Sequence, residues 1–268
     1  MTKAPTAPSR SRSIDFDLVA EFYDSYVNTS FDIPFWLDVA RQCPGPRLEL
    51  MCGTGRIARA ILAAGMEIDG LDYSKGLLAR FRKNMPVPHP ACRLHLADAR
   101  DFSLKKRYGL IFTGFHAIAE VLEDSGKLEV FSRVREHLLP QGRFWLSAHN
   151  PAIRARSLDG RTVDIGHFPI PDTDEEVSVS GCYLYDPQTG ITTGKQTYVC
   201  TCGNEKTRTV ELPVKFHLAK PQQLDDLAKR AGLHILSRYG SYERAPFEES
   251  SSPFYILEAA PSSAAPGA

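Results

Sequence analysis

The run Leu48-Glu49-Leu50-Met51-Cys52-Gly53-Thr54-Gly55-Arg56-Ile57-Ala58 constrains the fold more than any other stretch. An apolar run holding one acid stops at two glycines, and a helical pattern follows at once, with Ile57, Ala58, Ile61 and Leu62 on one face. This reads as strand, tight turn, helix. The glycines let the backbone bend sharply and lie against a ligand with no side chain between. The first turn of the helix offers unpaired N–H groups to a negative or polar ligand group.

The same alternation continues along the chain. Helical spacing covers residues 14–28 and 34–42, ahead of the break at Pro44-Gly45-Pro46. Strand patterns occupy 47–51, 67–71, 92–96, 109–113 and 143–148, with helical stretches at 55–64, after Ser74 and within 117–138, and a loop at 86–90. Strand alternating with helix implies a parallel sheet covered on both faces. Ligands of such sheets bind beyond the C-terminal strand ends, which here carry Gly53, Asp72, Asp98, Phe115-His116 and His149-Asn150. From 175 to 217 the texture changes to strand after strand, and Val210, Leu212, Val214 and Phe216 alternate with polar residues. A helix at 221–231 and strands at 233–239 and 254–259 complete the sheet.

The expected fold class is therefore α/β, a seven-stranded doubly wound sheet with a three-stranded antiparallel insert. The expected organisation is a disordered start (1–13), a helical cover (14–46), a core (47–150 and 218–260), the insert (151–217) and a low-complexity tail (261–268). The insert's single apolar face must cover something, either the mouth of a pocket or a second subunit, which would make a homodimer.

Charge and cysteine usage exclude several function classes. Lys plus Arg number 32 and Asp plus Glu number 32, so no global basic field favours nucleic acid or an anionic membrane. No apolar run approaches the roughly 20 residues of a membrane span, and Met1 to Ser13 lacks the apolar core of a secretory signal. Six cysteines are few for the length and suit reduced thiols, so a cytoplasmic protein is expected. Cys200-Thr201-Cys202 is the one close pair, and no His or second Cys pair stands at zinc spacing, so no metal is expected.

The glycine turn alone fits two cofactor classes, because Gly53-Thr54-Gly55-Arg56-Ile57-Ala58 with Asp72 also matches a dinucleotide pattern. The wider stretch separates them. Glu49 through Arg56 resembles the first motif of the class I S-adenosylmethionine-dependent methyltransferases, with Met51 where a glycine is commoner. Gly70-Leu71-Asp72-Tyr73-Ser74 resembles their second motif and Ala97-Asp98-Ala99 their third. Leu110-Ile111-Phe112 and Leu139-Pro140-Gln141-Gly142-Arg143 match the fourth and fifth strands.

The resemblance implies S-adenosylmethionine as cofactor, S-adenosylhomocysteine as product and a small-molecule acceptor methylated at N or O. It implies that Gly53 and Gly55 cradle the cofactor, Asp72 accepts from its ribose hydroxyls, and Asp98 with the Ala99 N–H meets adenine while Tyr73 packs on it. Glu49 would act from behind the turn, Tyr23 of the Tyr23-Asp24 pair would fold over the cofactor, and Phe115 would stand beside it. Tyr26, Trp36 and Glu120 are candidates for the acceptor pocket, although aromatics at helical spacing also suit a core. His116 and His149, just past the fourth and fifth strands, could take a proton from the acceptor, their ordinary pKa being near neutrality. His167, in the loop before the insert, is a weaker candidate.

A nicotinamide-dependent oxidoreductase fits the glycines but not the acid before them, the Asp98 motif or the two closing strands. A cofactor-binding partner protein without catalysis would keep the same cofactor motifs. The Pro-Pro-aromatic signature of enzymes that modify base amino groups is absent at Thr113-Gly114-Phe115-His116.

Overall fold

The computed structural model describes residues 13–85, 91–170 and 172–262. Residues 1–12, 86–90 and 263–268 of the segments expected to be irregular lie outside the described residues.

In chain order the first strands are β1 (Arg47–Leu50), β2 (Asp69–Asp72), β3 (Leu94–Leu96), β4 (Tyr108–Thr113) and β5 (Leu138–His149). The insert adds β6 (Asp159–Pro169), β7 (Glu175–Tyr185), β8 (Ile191–Cys202) and β9 (Glu205–His217); β10 (Leu233–Tyr239) and β11 (Phe254–Pro261) close the chain. The seven-stranded sheet runs β10-β11-β5-β4-β1-β2-β3, as expected from the alternation. Only β11 runs against the others, pairing antiparallel with β5 on one side and β10 on the other.

The helices are α1 (Tyr23–Tyr26), α2 (Ile33–Gln42), α3 (Arg56–Ala63), α4 (Lys75–Asn84), α5 (Asp124–His137), α6 (Pro151–Arg154) and α7 (Pro221–Arg230). Alternation along the strands sorts the core into two layers. Leu48, Leu50, Ile111, Phe144 and Leu146 face α5 and α7, whereas Leu110, Phe112 and Trp145 face α2, α3 and α4.

The turn after β1 depends on its glycines. Gly53 and Gly55 have φ of 56° and 78°. A Cβ on Gly55 would lie 2.4 Å from the Phe81 ring of α4, so the bare backbone lets α4 close on the turn. Ser74 caps α4 as expected, accepting from the Leu77 N–H at 3.0 Å.

Two expectations need correction. The insert has four strands, not three, in the order β6-β7-β8-β9, and His167 lies on β6, not in a loop. Strand β6 is exposed or half-exposed along its length, so it carries no apolar alternation, and its pairing shifts at Asp164/Gly166. Residues 14–28 form only a 3₁₀ turn, Phe16–Leu18, and the single turn α1. The Asp15 side chain accepts from the Asp17 N–H, and Asp17 accepts from Ser74 Oγ at 2.6 Å and the Gly76 N–H at 2.7 Å. These acids bond outward to turns and to α4 instead of leaving the backbone to one long helix.

The apolar side chains of the 14–28 segment go to the insert. Ile14, Val19 and Phe22 pack on Val177, Val179, Tyr198, Cys200, Leu212 and Val214. The chain's own N-terminal segment thus covers that face. Among the described residues no helix is long and apolar enough to cross a membrane, and no group of three or more His, Cys, Asp or Glu is placed to hold a metal ion.

Gly55→Ala is expected to destabilise the protein by roughly 2–4 kcal/mol, combining a left-handed Cβ with overpacking against Phe81. Urea unfolding measures it; an unchanged midpoint would show that α4 does not need the bare turn.

Candidate active site

The C-terminal ends of β1, β2 and β4 open on a cleft of about 550 Å³. Glu49, Gly53, Asp72, Tyr23, Phe115 and Glu120 are among its walls. Asp72 accepts from the Gly53 N–H (2.8 Å) and the Ser74 N–H (2.7 Å), one bond on each oxygen. A carboxylate accepts about four hydrogen bonds, so acceptor capacity remains on both oxygens. Glu49 accepts from the Ala58 N–H in the first turn of α3 at 3.0 Å. Burial raises the Asp72 carboxyl to about 6 and the Glu49 carboxyl to about 8. The one arginine on this wall, Arg56, is committed elsewhere. It makes a two-pronged ion pair with fully buried Asp32 at 2.6 and 2.8 Å.

Tyr23-Asp24 divides its work. Asp24 accepts from Thr54 Oγ1 (2.5 Å) and Asn84 Nδ2 (2.6 Å), which fastens α1 to the glycine turn. Tyr23 then lies over the turn, its ring and hydroxyl about 4 Å from where a Gly53 Cβ would stand.

A second, more apolar cleft of about 830 Å³ adjoins the first. Tyr26, His116, His149, Arg154, Tyr183 and Phe216 are among its walls, and it shares Phe16, Tyr23, Val27, Phe115, Ala117 and Glu120 with the first. It lies between the N-terminal segment, the ends of β4 and β5, and the insert, where an acceptor pocket was expected. Phe115 and His116 both have left-handed backbones, with φ of 49° and 64°. The His116 ring stacks on His149 at 3.8 Å and on Phe254 at 5.1 Å between centroids, and its Nδ1 is buried without a partner. Burial pushes the His116 imidazole well below its ordinary 6.5, with help from His149 and Arg154. Burial and then Arg154 hold His149 at about 3. Neither histidine titrates near neutrality as expected, because the rings sit against apolar and cationic neighbours.

Glu120 lines both clefts, and its carboxyl is raised to about 8 by burial and then by Asp72. Tyr73 Oη lies 2.8 Å from the Ile14 carbonyl and 3.0 Å from Glu120 Oε2. The Tyr73 bond pulls the Glu120 carboxyl down but does not offset its burial.

Four expected site residues have other partners. Trp36 is 1 % exposed, stacks on Phe112 at 4.7 Å and donates to Asp32, so it belongs to the core and not to an acceptor pocket. Tyr73 faces Glu120 and Ile14 and is not among the residues lining the cleft. The Asp98 carboxylate is forked onto Arg100, at 2.6 Å to Nη2 and 2.9 Å to Nε, while Ala99 beside it is core. Arg154, Tyr183 and Gln196, which also line the second cleft, went unnoticed in the sequence. They come from α6 and the insert, far along the chain and outside any motif.

Residues 48–142 match the family model described as a methyltransferase domain. The 95 residues that match the dTDP-3-amino-3,6-dideoxy-alpha-D-glucopyranose N,N-dimethyltransferase of Streptomyces fradiae are 30% identical to it and cover 35% of this chain and 36% of that one. The chain thus aligns with about a third of the length of that curated relative. Among solved structures, the CcbJ methyltransferase of Streptomyces caelestis superposes with a TM-score of 0.75 at 23% identity, covering 92% of this chain and 97% of that one. A sugar N-methyltransferase of Streptoalloteichus sp. gives 0.72 at 13% identity over 98% of both chains. Residues 48–142 thus match a methyltransferase domain, and the chain shares the fold of these solved methyltransferases, so S-adenosylmethionine is the methyl donor against which the cleft is tested.

The residues present fit that cofactor. Glu49, Asp72 and Glu120 line one cleft without an ion-pair partner among the described residues, and burial or mutual repulsion raises all three carboxyls. A ligand carrying a sulfonium and an ammonium supplies the missing positive charge.

Two outcomes are expected. The folded Glu120 carboxyl keeps its proton to about pH 8, against an ordinary value of 4.5. The stability it contributes is therefore full below 4.5 and lost as pH rises to about 8. Relative to wild type, Glu120→Gln should gain stability across that window, read by urea unfolding at several pH values; a constant difference would mean that Glu120 titrates normally. Asp72→Asn should weaken S-adenosylhomocysteine binding at least about tenfold, through loss of a buried charge-assisted contact. Calorimetry checks it, and an unchanged dissociation constant would remove Asp72 from the site.

Proposed function

We propose that this protein transfers a methyl group from S-adenosylmethionine to an amine of a small, sugar-like specialised metabolite. The observation that carries this reading is the common wall of the two clefts, where Tyr23, Phe115 and Glu120 belong to both. What binds on the glycine turn and what binds among the aromatic rings meet at these side chains. The Streptomyces fradiae relative is named for dimethylating an amino sugar, which supports nitrogen over oxygen as the attacking atom.

When bound, the cofactor supplies an electrophilic methyl on a positive sulfur. The chain's own residues supply position, dryness and a place for a proton. In this reading Asp72 holds the ribose hydroxyls, Gly53 and Gly55 let the ligand lie on the backbone, and Glu49 fixes the start of α3 from behind. Asp98 serves adenine only by sharing its carboxylate with Arg100. Tyr23 and Phe115 close the cleft, and Tyr26, Phe216 and the stacked histidines hold the acceptor's apolar faces.

An amine attacks only as the free base, so an ammonium acceptor must lose a proton. His149, held at about 3, holds a proton poorly at neutral pH. Glu120, at about 8 and on the common wall, is better matched. His116 and His149 then serve as neutral walls whose nitrogens orient the amine.

Incubating the full-length protein with methyl-labelled cofactor and a panel of amino sugars tests the reading. Label should enter an amine, and turnover should rise with pH toward about 8. Glu120→Gln should lower kcat by about 10²–10⁴-fold with S-adenosylhomocysteine affinity little changed, whereas His116→Asn should cost far less. Transfer to hydroxyls only, or full turnover in Glu120→Gln, would overturn the amine reading or the base assignment respectively.

A further inference from the structure

Other arginines near the clefts are paired with acids: Arg56 with Asp32, Arg100 with Asp98, Arg208 with Glu21. Arg154 is not. It stands at the end of α6 and lines the second cleft, yet no carboxylate among the described residues lies within ion-pair distance of it. Nη1 donates to Ser157 Oγ at 2.9 Å, and Nε is buried with no partner. A partly desolvated guanidinium left without an acceptor is costly, and such an arrangement is commonly completed by a ligand.

Tyr183 stands on the same wall and brings a phenolic hydroxyl to it. Its oxygen accepts from Gln196 Nε2 at 2.8 Å. Gln196 Oε1 is taken in turn by Tyr198 Oη at 2.7 Å. Tyr198 Oη also lies 2.9 Å from Tyr26 Oη, so Tyr183, Gln196, Tyr198 and Tyr26 form one hydroxyl–amide chain along this wall. Arg154 and Tyr183 interact electrostatically, as neighbours do. This end of the cleft offers donors and a positive charge, whereas the carboxyls of Glu49, Asp72 and Glu120 gather at the other cleft.

We infer that Arg154 and Tyr183 form an anion subsite that holds a carboxylate or phosphate oxygen of the acceptor, remote from the amine that receives the methyl group. The inference rests on the reading of this cleft as the acceptor pocket. It makes Arg154 a specificity residue: amines with an anionic arm are preferred over neutral amino sugars of the same size. The guanidinium fork suits either oxyanion.

The test uses the full-length protein saturated with S-adenosylhomocysteine and titrated with glucosamine, glucosamine 6-phosphate and muramic acid. These are an amino sugar without an anion, with a phosphate and with a carboxylate. At least one anionic probe should bind about tenfold tighter than glucosamine, and which one does so identifies the oxyanion. Arg154→Gln should abolish the difference while leaving S-adenosylhomocysteine affinity unchanged. In the wild-type protein, inorganic pyrophosphate should compete with the preferred probe and not with glucosamine, a readout that survives even if the variant fails to fold. Equal affinity for the three probes, no binding of either anionic probe, or a preference that persists in Arg154→Gln would overturn the inference. Failure of the wild-type protein to bind S-adenosylhomocysteine would instead overturn the methyltransferase reading itself.

Discussion

One buried carboxylate ties the site together. Asp72 ends β2, and its oxygens take the Gly53 N–H of the turn after β1 and the Ser74 N–H at the cap of α4. Two strand ends, a glycine turn and a helix start are thereby held in one register. Other contacts build on it. Phe81 of α4 lies against Gly55, where no side chain could stand. Asp17 clips the N-terminal segment to Ser74 and Gly76, and Asp24 clips it again to Thr54. The cover over the cleft is thus fastened to the same turn that forms the cleft's floor. Its position follows from a few charge-assisted bonds and not from helix formation of its own.

The electrostatics of the cleft follow from what its single arginine does not do. Arg56 could neutralise Glu49, but Asp32 holds it in a forked pair, and its guanidinium lies over Phe115 at 4.7 Å. The pair is structural. It joins the 29–33 segment to α3, since Arg56 also donates to the Thr29 carbonyl. Arg56 pulls the Glu49 carboxyl down but does not offset its burial, and Glu120 feels burial and then Asp72, so both carboxyls rise to about 8. Asp72, at about 6, carries the charge near neutrality while Glu49 and Glu120 hold their protons, so binding of a cation that ionises either glutamate is coupled to proton release.

The sheet was legible because each strand and helix announces itself locally. Glycines end β1, Ser74 caps α4, and apolar residues repeat at the right periods. Strand β6 was not legible because both of its faces see solvent, so burial imposes no alternation on Asp159–Pro169. The 14–28 segment carries helical spacing, yet its apolar residues answer to the insert's sheet, which no local window contains. The turn itself could be read because its left-handed backbone demands Gly53 and Gly55, and Glu49 and Asp72 stand beside the cleft because they lie at the ends of β1 and β2 next to that turn. Trp36 could not be placed, since an aromatic at helical spacing looks the same whether it faces Phe112 or a ligand. Met51 is a marginal case: it stands at a glycine-favouring position and does take a left-handed backbone, φ 56°.

Phe115 and His116 explain why the histidines have a role other than the one their type suggests. Two successive non-glycine residues in the left-handed region cost on the order of 1–3 kcal/mol each, so surrounding contacts must offset that cost. Arg56 stacks on Phe115, and His149 and Phe254 stack on His116. Those stacks are with the neutral imidazole; a proton on His116 would set a charge against His149 with Arg154 nearby. Whatever protonates His116 therefore also loosens the turn that separates the two clefts. A general base at this position would disturb the wall each time it worked. A neutral aromatic histidine keeps the wall fixed and leaves the proton to a carboxyl that burial has already brought near neutrality.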